Sequence, residues 1–234
     1  MKIIIAPCSA RAVNYAIIHW HYSKRVPIGR SNRFGLWEDG EFKGIIMFTR
    51  GSGAMWKNGI KFGLQDVHVC ELARIALDDH QMPVTQLMKI TIALLKKKNP
   101  DLQLIVSYAD NSQGHLGKIY QAGNWIYTGT TGNGREFIVR GRRYHSRGAS
   151  SSFGTAKLSE LQKIDPQATV LNSGFRYRYL YPLNKKLRKQ IQKYSRPYPK
   201  ELRGCGVNSS TSAVQAESSG ANPTQPLQLF KATV

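Results

Sequence analysis

The 23 residues from Ser107 to Gly129, SYADNSQGHLGKIYQAGNWIYTG, constrain the fold most, because a strand end, a glycine-punctuated polar turn, a short helix and a second strand must all fit within them. The apolar run Leu102–Val106 predicts a strand that ends in a polar cluster of Ser107, Asp110, Asn111 and Ser112. Carboxyl ends of strands are where open α/β sheets gather ligand and catalytic groups. A helix over 117–122 closes at Gly123, the residue type favoured just past a helix C-terminus, and Asn124–Tyr127 reads as the next strand.

Upstream, residues 2–5 predict a first strand. Over 9–22, Ala12, Val13, Ala16 and Ile17 recur at helical spacing behind Ser9 as N-cap. Phe34–Trp37 and Phe42–Phe48 flank an Asp39-Gly40 pair, the strongest short-range hairpin signal. A strand over 66–77 follows, then a helix over 83–98 with a broad apolar face and Lys96–Lys98 at its C-terminus, where cations favour the macrodipole. After a strand at Glu136–Val139, the segment Gly141–Gly154 is polar and basic enough to predict a surface loop. A short helix near Leu158–Ile164, an Arg/Tyr-alternating strand over 175–183 and a lysine-rich helix over 184–194 complete the ordered part. Residues 1–203 form one α/β domain of mixed sheet and flanking helices, and 204–234, rich in Ser, Thr, Gly, Asn and Gln, predict a disordered tail.

The charge points outward, to partners. Lys and Arg number 34 against 14 Asp and Glu, a net charge of +20, which is the electrostatic footprint of a nucleic-acid binder. Cys8, Cys70 and Cys205 lie far apart with no zinc spacing, as expected in a reduced compartment. The apolar start is too short for a secretory signal and no window approaches a membrane span, so a cytoplasmic protein that engages no membrane is expected.

The element order resembles the GNAT acetyltransferase fold, with CELARIAL at 70–77 looking like its central strand and HLGKIYQAGNWIYTG at 115–129 like its following helix and strand. More narrowly, HWHYS at 19–23, FGLWEDGEFKGIIMF at 34–48, LARIAL at 72–77, SYAD at 107–110 and SGFRYRYLYPL at 173–183 are similar to the phage DNA-modification proteins of the Mom family. That resemblance implies a GNAT-derived enzyme that acts on double-stranded DNA and converts the exocyclic amine of adenine into a carbamoyl-type (methylcarbamoyl) N6 adduct, shielding phage DNA from restriction. An ordinary GNAT protein holds the diphosphate of coenzyme A on a glycine-rich loop after the central strand, at a helix N-terminus. Here that loop is Asp79-His80-Gln81-Met82-Pro83-Val84-Thr85 and contains no glycine. The small-molecule group donor, acetyl-CoA or a related acyl donor among the candidates, therefore stays open. So do an acetyltransferase of a small molecule or protein, and a noncatalytic DNA binder on the same scaffold.

Modifying adenine N6 requires a pocket for an extruded base, a group that manages the amine proton and a site for the donor. Asp110, at the end of a buried strand, suits a hydrogen bond to N6 or general-base work, and equally an Asx cap for the next turn. Tyr120 lies where the GNAT resemblance implies a tyrosine general acid, with a core aromatic as the alternative. The Mom resemblance picks out His21 and Tyr22, which suit lining the base pocket or acting on protons. Arg74, in an apolar strand, is costly to bury unless paired or facing donor or substrate. His19, His21, His68, His80, His115 and His145 with Asp110 and Cys70 leave an iron site possible, though no HxxxH or HExxH pair occurs. For DNA, Arg176 and Arg178 share one strand face, followed by Lys185, Lys186, Arg188, Lys189 and Lys193, and Arg142, Arg143 and Arg147 are candidates for flanking backbone.

Overall fold

Short local signals set most boundaries in the computed structural model, which describes residues 1–27, 29–50, 57–132, 134–172 and 174–200. The expected tail, with Cys205, lies outside the described residues. Strand β1 (Ile3–Pro7) runs to Ser9, whose hydroxyl accepts the Ala12 N–H and starts helix α1 (Ala10–Trp20). Strands β2 (Ser31–Glu38) and β3 (Glu41–Thr49) turn over Asp39 and Gly40, both at positive φ (47° and 89°), as a two-residue hairpin matched to strand twist requires. A single helical turn, α2 (Lys57–Ile60), precedes β4 (Val69–Leu77), α3 (Val84–Lys98), β5 (Leu104–Asp110), α4 (Lys118–Ala122) and β6 (Ile126–Thr130). An insertion then forms β7 (Arg135–Val139), β8 (Arg142–His145), α5 (Ser146–Phe153), α6 (Leu158–Ile164) and β9 (Thr169–Asn172), before β10 (Arg176–Pro182) and α7 (Lys185–Gln192).

Seven strands make one sheet in the order β1-β2-β3-β4-β5-β10-β6, antiparallel except where β4 meets β5. On one face, Phe48, Leu72, Ile105, Trp125 and Tyr179 bury against Leu87, Met88 and Leu95 of α3 and against Tyr120 of α4. On the other face α1 covers Ile45, Met47 and Ala76, while Leu187 and Ile191 of α7 cover Leu104, Val106 and Leu180. This is the mixed-sheet α+β architecture with flanking helices that the element order predicts, and the insertion adds a separate three-stranded sheet, β8-β7-β9.

Element ends differ from the sequence reading in several places, and three of the differences have a clear physical cause. The strand expected from Asp66 starts at Val69, because Asp66–His68 is a 3-10 turn. Strand β5 runs on through Ser107 to Asp110, because β10 pairs with each residue of that extension, up to Arg176 opposite Asp110. The expected loop at Gly141–Gly154 is instead β8 and α5. Its polarity belongs to one side only: Tyr144, Ala149 and Phe153 pack inward with Phe137, Val139 and Leu161 as the core of the insertion.

Candidate active site

Strands β4 and β5 pair over only three rows, ending at Glu71 and Val106, and then part. A bulge at Ala73 re-aims β4, since Arg74 opposes Met47 while Leu72 opposes Phe48. The parting leaves the Leu72 carbonyl facing a cleft, where Ser107 Oγ lies 2.9 Å from it and 2.8 Å from the Tyr120 hydroxyl. A carbonyl only accepts and Ser107 has one hydroxyl proton, so the pair resolves into a relay in which Tyr120 O–H donates to Ser107 and Ser107 O–H donates to Leu72. Burial pushes the Tyr120 phenol up to about 12. At neutral pH Tyr120 therefore holds its proton and can act as an acid.

The C-terminus of α1 supplies the second wall. His21 is its C-cap, buried at 9% exposure, and its Nδ1 accepts the Ser23 N–H at 3.1 Å. The neutral ring therefore carries its proton on Nε2. Burial, then the nearby Arg74 charge, depresses the imidazolium to about 4, so His21 is a neutral hydrogen-bonding group near pH 7. Its ring stacks on Tyr22, with centroids 4.4 Å apart, and the half-exposed Tyr22 ring meets His115 edge-on at 5.3 Å. Burial and then the Asp110 carboxylate raise the Tyr22 phenol. Arg74 reaches back to this wall, with Nε and Nη2 each donating to the Arg25 carbonyl at 3.3 Å.

The cleft thus gathers Tyr120, His21, Tyr22, Arg74 and Asp110 from four separate segments. Asp110 Oδ1 accepts the Ser112 N–H at 3.0 Å and the Ser112 hydroxyl, which caps the next turn, and Oδ2 stands 3.6 Å from Arg176 Nε. Three further residues join them: Ser107, which the sequence places only in a polar cluster at a strand end, His115, which it offers only among candidate iron ligands, and the half-buried Glu71, which no sequence pattern marks. A polar residue inside the apolar run of β5 was the available signal for Ser107. The contact that makes it matter, from a carbonyl 35 residues away, is not written in any local pattern.

The loop between β4 and α3 already holds an anion. The Glu38 carboxylate, 5% exposed, accepts the Gln81 N–H at 3.0 Å and the Met82 N–H at 2.8 Å. Those bonds, the Gln81 one foremost, hold Glu38 below the usual carboxylate range. With these donors taken and Pro83 offering none, the loop does not fit the diphosphate of a coenzyme A-type donor. An open groove of about 640 Å³ lies between α3 and α4, lined by Trp125 and Tyr181 and by Gln86 and Lys89. Among the described residues, no group of three His, Cys, Asp or Glu side chains comes together to hold a metal.

The expected DNA-contacting residues divide by environment. Strand β10 is interior to the sheet, so Arg178 is drawn onto Thr128, donating to its Oγ1 and carbonyl at 3.0 Å, and Arg176 pairs with Asp110. Arg188 donates to the Asn124 carbonyl at 3.0 Å. Lys185, Lys186 and Lys189 are exposed on α7, which begins just past Pro182, the residue opposite Leu104 at the end of β5 away from the cleft. In the insertion Arg142 is exposed, Arg143 pairs with Glu136, and Arg147 lies on α5 with its side chain outside the described structure.

A seven-stranded mixed sheet that opens between β4 and β5 over a tyrosine-bearing α4 is the arrangement expected from the resemblance to the GNAT fold. The chain belongs to the Mom protein family, whose model matches residues 2–200. It is 22% identical over 185 residues to the methylcarbamoylase Mom of Escherichia phage Mu, spanning 77% of this chain and 76% of that protein. Solved structures that resemble it include an aminoglycoside acetyltransferase in complex with coenzyme A and kanamycin, at a TM-score of 0.47 and 11% identity over 81% of this chain and 99% of that one. Another is an acetyltransferase of Bacillus subtilis in complex with coenzyme A, at a TM-score of 0.43 and 12% identity over 78% of this chain and 99% of that one. No helix among the described residues is long and apolar enough to cross a membrane.

Proposed function

We propose that this chain is a DNA-modifying transferase that places a carbamoyl-type group, of the methylcarbamoyl kind, on N6 of adenine and so protects phage DNA from restriction. The observation that carries the reading is the family match over residues 2–200 on a chain whose cleft contains a protonated tyrosine beside aromatic and carboxylate groups. Adenine N6 is a weak nucleophile, so its proton must leave as the new C–N bond forms. Asp110 accepts that proton, and its ion pair with Arg176 holds the carboxylate ready. The bond from the donor carbonyl carbon to its leaving group breaks, and Tyr120 supplies the proton the leaving group needs. The half-exposed Tyr22 ring stacks on the extruded base with His115 at its edge, and the Nε2–H of His21 donates to a ring nitrogen. Arg74, on the bulged strand, carries the charge that faces donor or substrate.

Plasmid DNA from a restriction-deficient host expressing the chain tests this against endonucleases whose sites together present adenine in all four 5′ contexts. Resistance at adenine-containing sites, with G·C-only sites cut normally, is the expected result. Cleavage at every site, despite soluble protein that binds the plasmid, moves the chain to a noncatalytic DNA binder.

A further inference from the structure

We propose that the β7–β9 insertion, and not α7, is the element that grips DNA beside the target base; this rests on the DNA reading above. The insertion is rooted at the mouth of the cleft. Its first and last residues are tied to the end of β5 and the start of β10 by Asn111 N–H to the Phe175 carbonyl at 3.3 Å, Thr131 N–H to the Arg176 carbonyl at 2.8 Å and Gly134 N–H to the Gly174 carbonyl at 2.9 Å. Arg176 in turn pairs with Asp110 in the cleft.

Within residues 135–172 there are seven Lys and Arg and three Asp and Glu. All three carboxylates are engaged inside the insertion: Glu136 with Arg143, Glu160 with Lys163, and Asp165 with the backbone N–H groups of Arg140 and Gln167. Arg135, Arg140 and Arg142 are exposed, and none of their guanidinium groups pairs with a carboxylate among the described residues. Arg140 and Arg142 flank the β7–β8 hairpin tip, a tight turn with Arg140 and Gly141 at φ 51° and 69°. The buried cluster of Phe137, Val139, Ala149 and Leu161 fixes the sheet that carries them. Arg135, at the root of the insertion, suits a phosphate next to the extruded base, and Arg140 and Arg142, one strand length away at the hairpin tip, suit phosphates further along the duplex. The lysines of α7 lie at the far end of the sheet, by the pairing of Pro182 with Leu104.

The test is binding of the full-length chain to a short adenine-containing duplex over a salt series. Combining Arg135→Ala, Arg140→Ala and Arg142→Ala should flatten the slope of log affinity against log salt by about 2–3, since each neutralised phosphate contributes about 0.9. Changing the same three to Lys should restore most of that slope, which a folding defect in the alanine variant would not predict. Combining Lys185→Ala, Lys186→Ala and Lys189→Ala should change the slope by less than about 1. A wild-type slope in the arginine variant, or a loss confined to the lysine variant, overturns the assignment while leaving the DNA reading intact. A wild-type chain with no salt-dependent binding overturns both.

Discussion

Tyr120 joins structure to chemistry through a single oxygen. Its hydroxyl is tied to Ser107 at 2.8 Å and its proton is retained up to about pH 12, so removing the hydroxyl removes an acid and little else. Tyr120→Phe should lower adduct formation by roughly 10²–10⁴-fold, with a loss of about 1 kcal/mol in stability because Ser107 still bonds Leu72. Quantifying modified deoxyadenosine alongside a urea melt checks both numbers. His21 gives a pH signature of opposite character. Its imidazolium is depressed to about 4 in the folded chain against an ordinary 6.5. Unfolded chains therefore bind a proton that the folded chain refuses, and the stabilisation is complete above about pH 6.5 and lost as pH falls toward 4. The expected loss over that window is about 3 kcal/mol, and His21→Asn should abolish that part of the slope in urea melts at pH 7 and pH 5.

At the scale of elements, two joints hold the cleft. Gly117 starts α4 at φ 75° with its Cα against the Tyr179 ring. Gly117→Ala would drive a Cβ into that ring and also strain the backbone, so a loss of about 2–3 kcal/mol is expected, together with activity, as α4 shifts Tyr120. Glu38 is the other joint, linking the end of the β2–β3 hairpin to the loop before α3. Glu38→Ala leaves two backbone N–H groups without their acceptor and should cost about 2–4 kcal/mol at neutral pH. Because Glu38 is held below the usual carboxylate range, its contribution is present above about pH 4.5 and fades as pH falls through the depressed value. Denaturant titrations at pH 7 and pH 3.5 should show the difference between variant and wild type shrinking at the lower pH.

Across the whole molecule, what was legible depended on the range of the interaction. Ser9 as a cap, Asp39-Gly40 as a turn and the apolar face of α3 are local patterns, and each formed as expected. The apolar-run rule stopped β5 at Val106, because the partner that keeps Ser107–Asp110 extended is β10, about 70 residues away. Distance in sequence also concealed the Glu38 carboxylate, 43 residues from the loop it fills. A missing glycine in that loop was visible; the internal anion that replaces a bound one was not. The sequence offers Asp110, Tyr120, His21, Tyr22 and Arg74 as candidates, and the pairing of β4 with β5 over only three rows explains why they come together. Basic residues were the least legible, since charge alone cannot separate Arg178, held on Thr128, from Arg142, exposed on the insertion. The central claim is chemical, and mass spectrometry of nucleosides from DNA of cells expressing the wild-type chain or Tyr120→Phe tests it most directly. A deoxyadenosine adduct with the mass of a methylcarbamoyl group in the wild type, nearly absent in the variant, is the result predicted. Unmodified deoxyadenosine in both, with folded and DNA-bound protein, would contradict it.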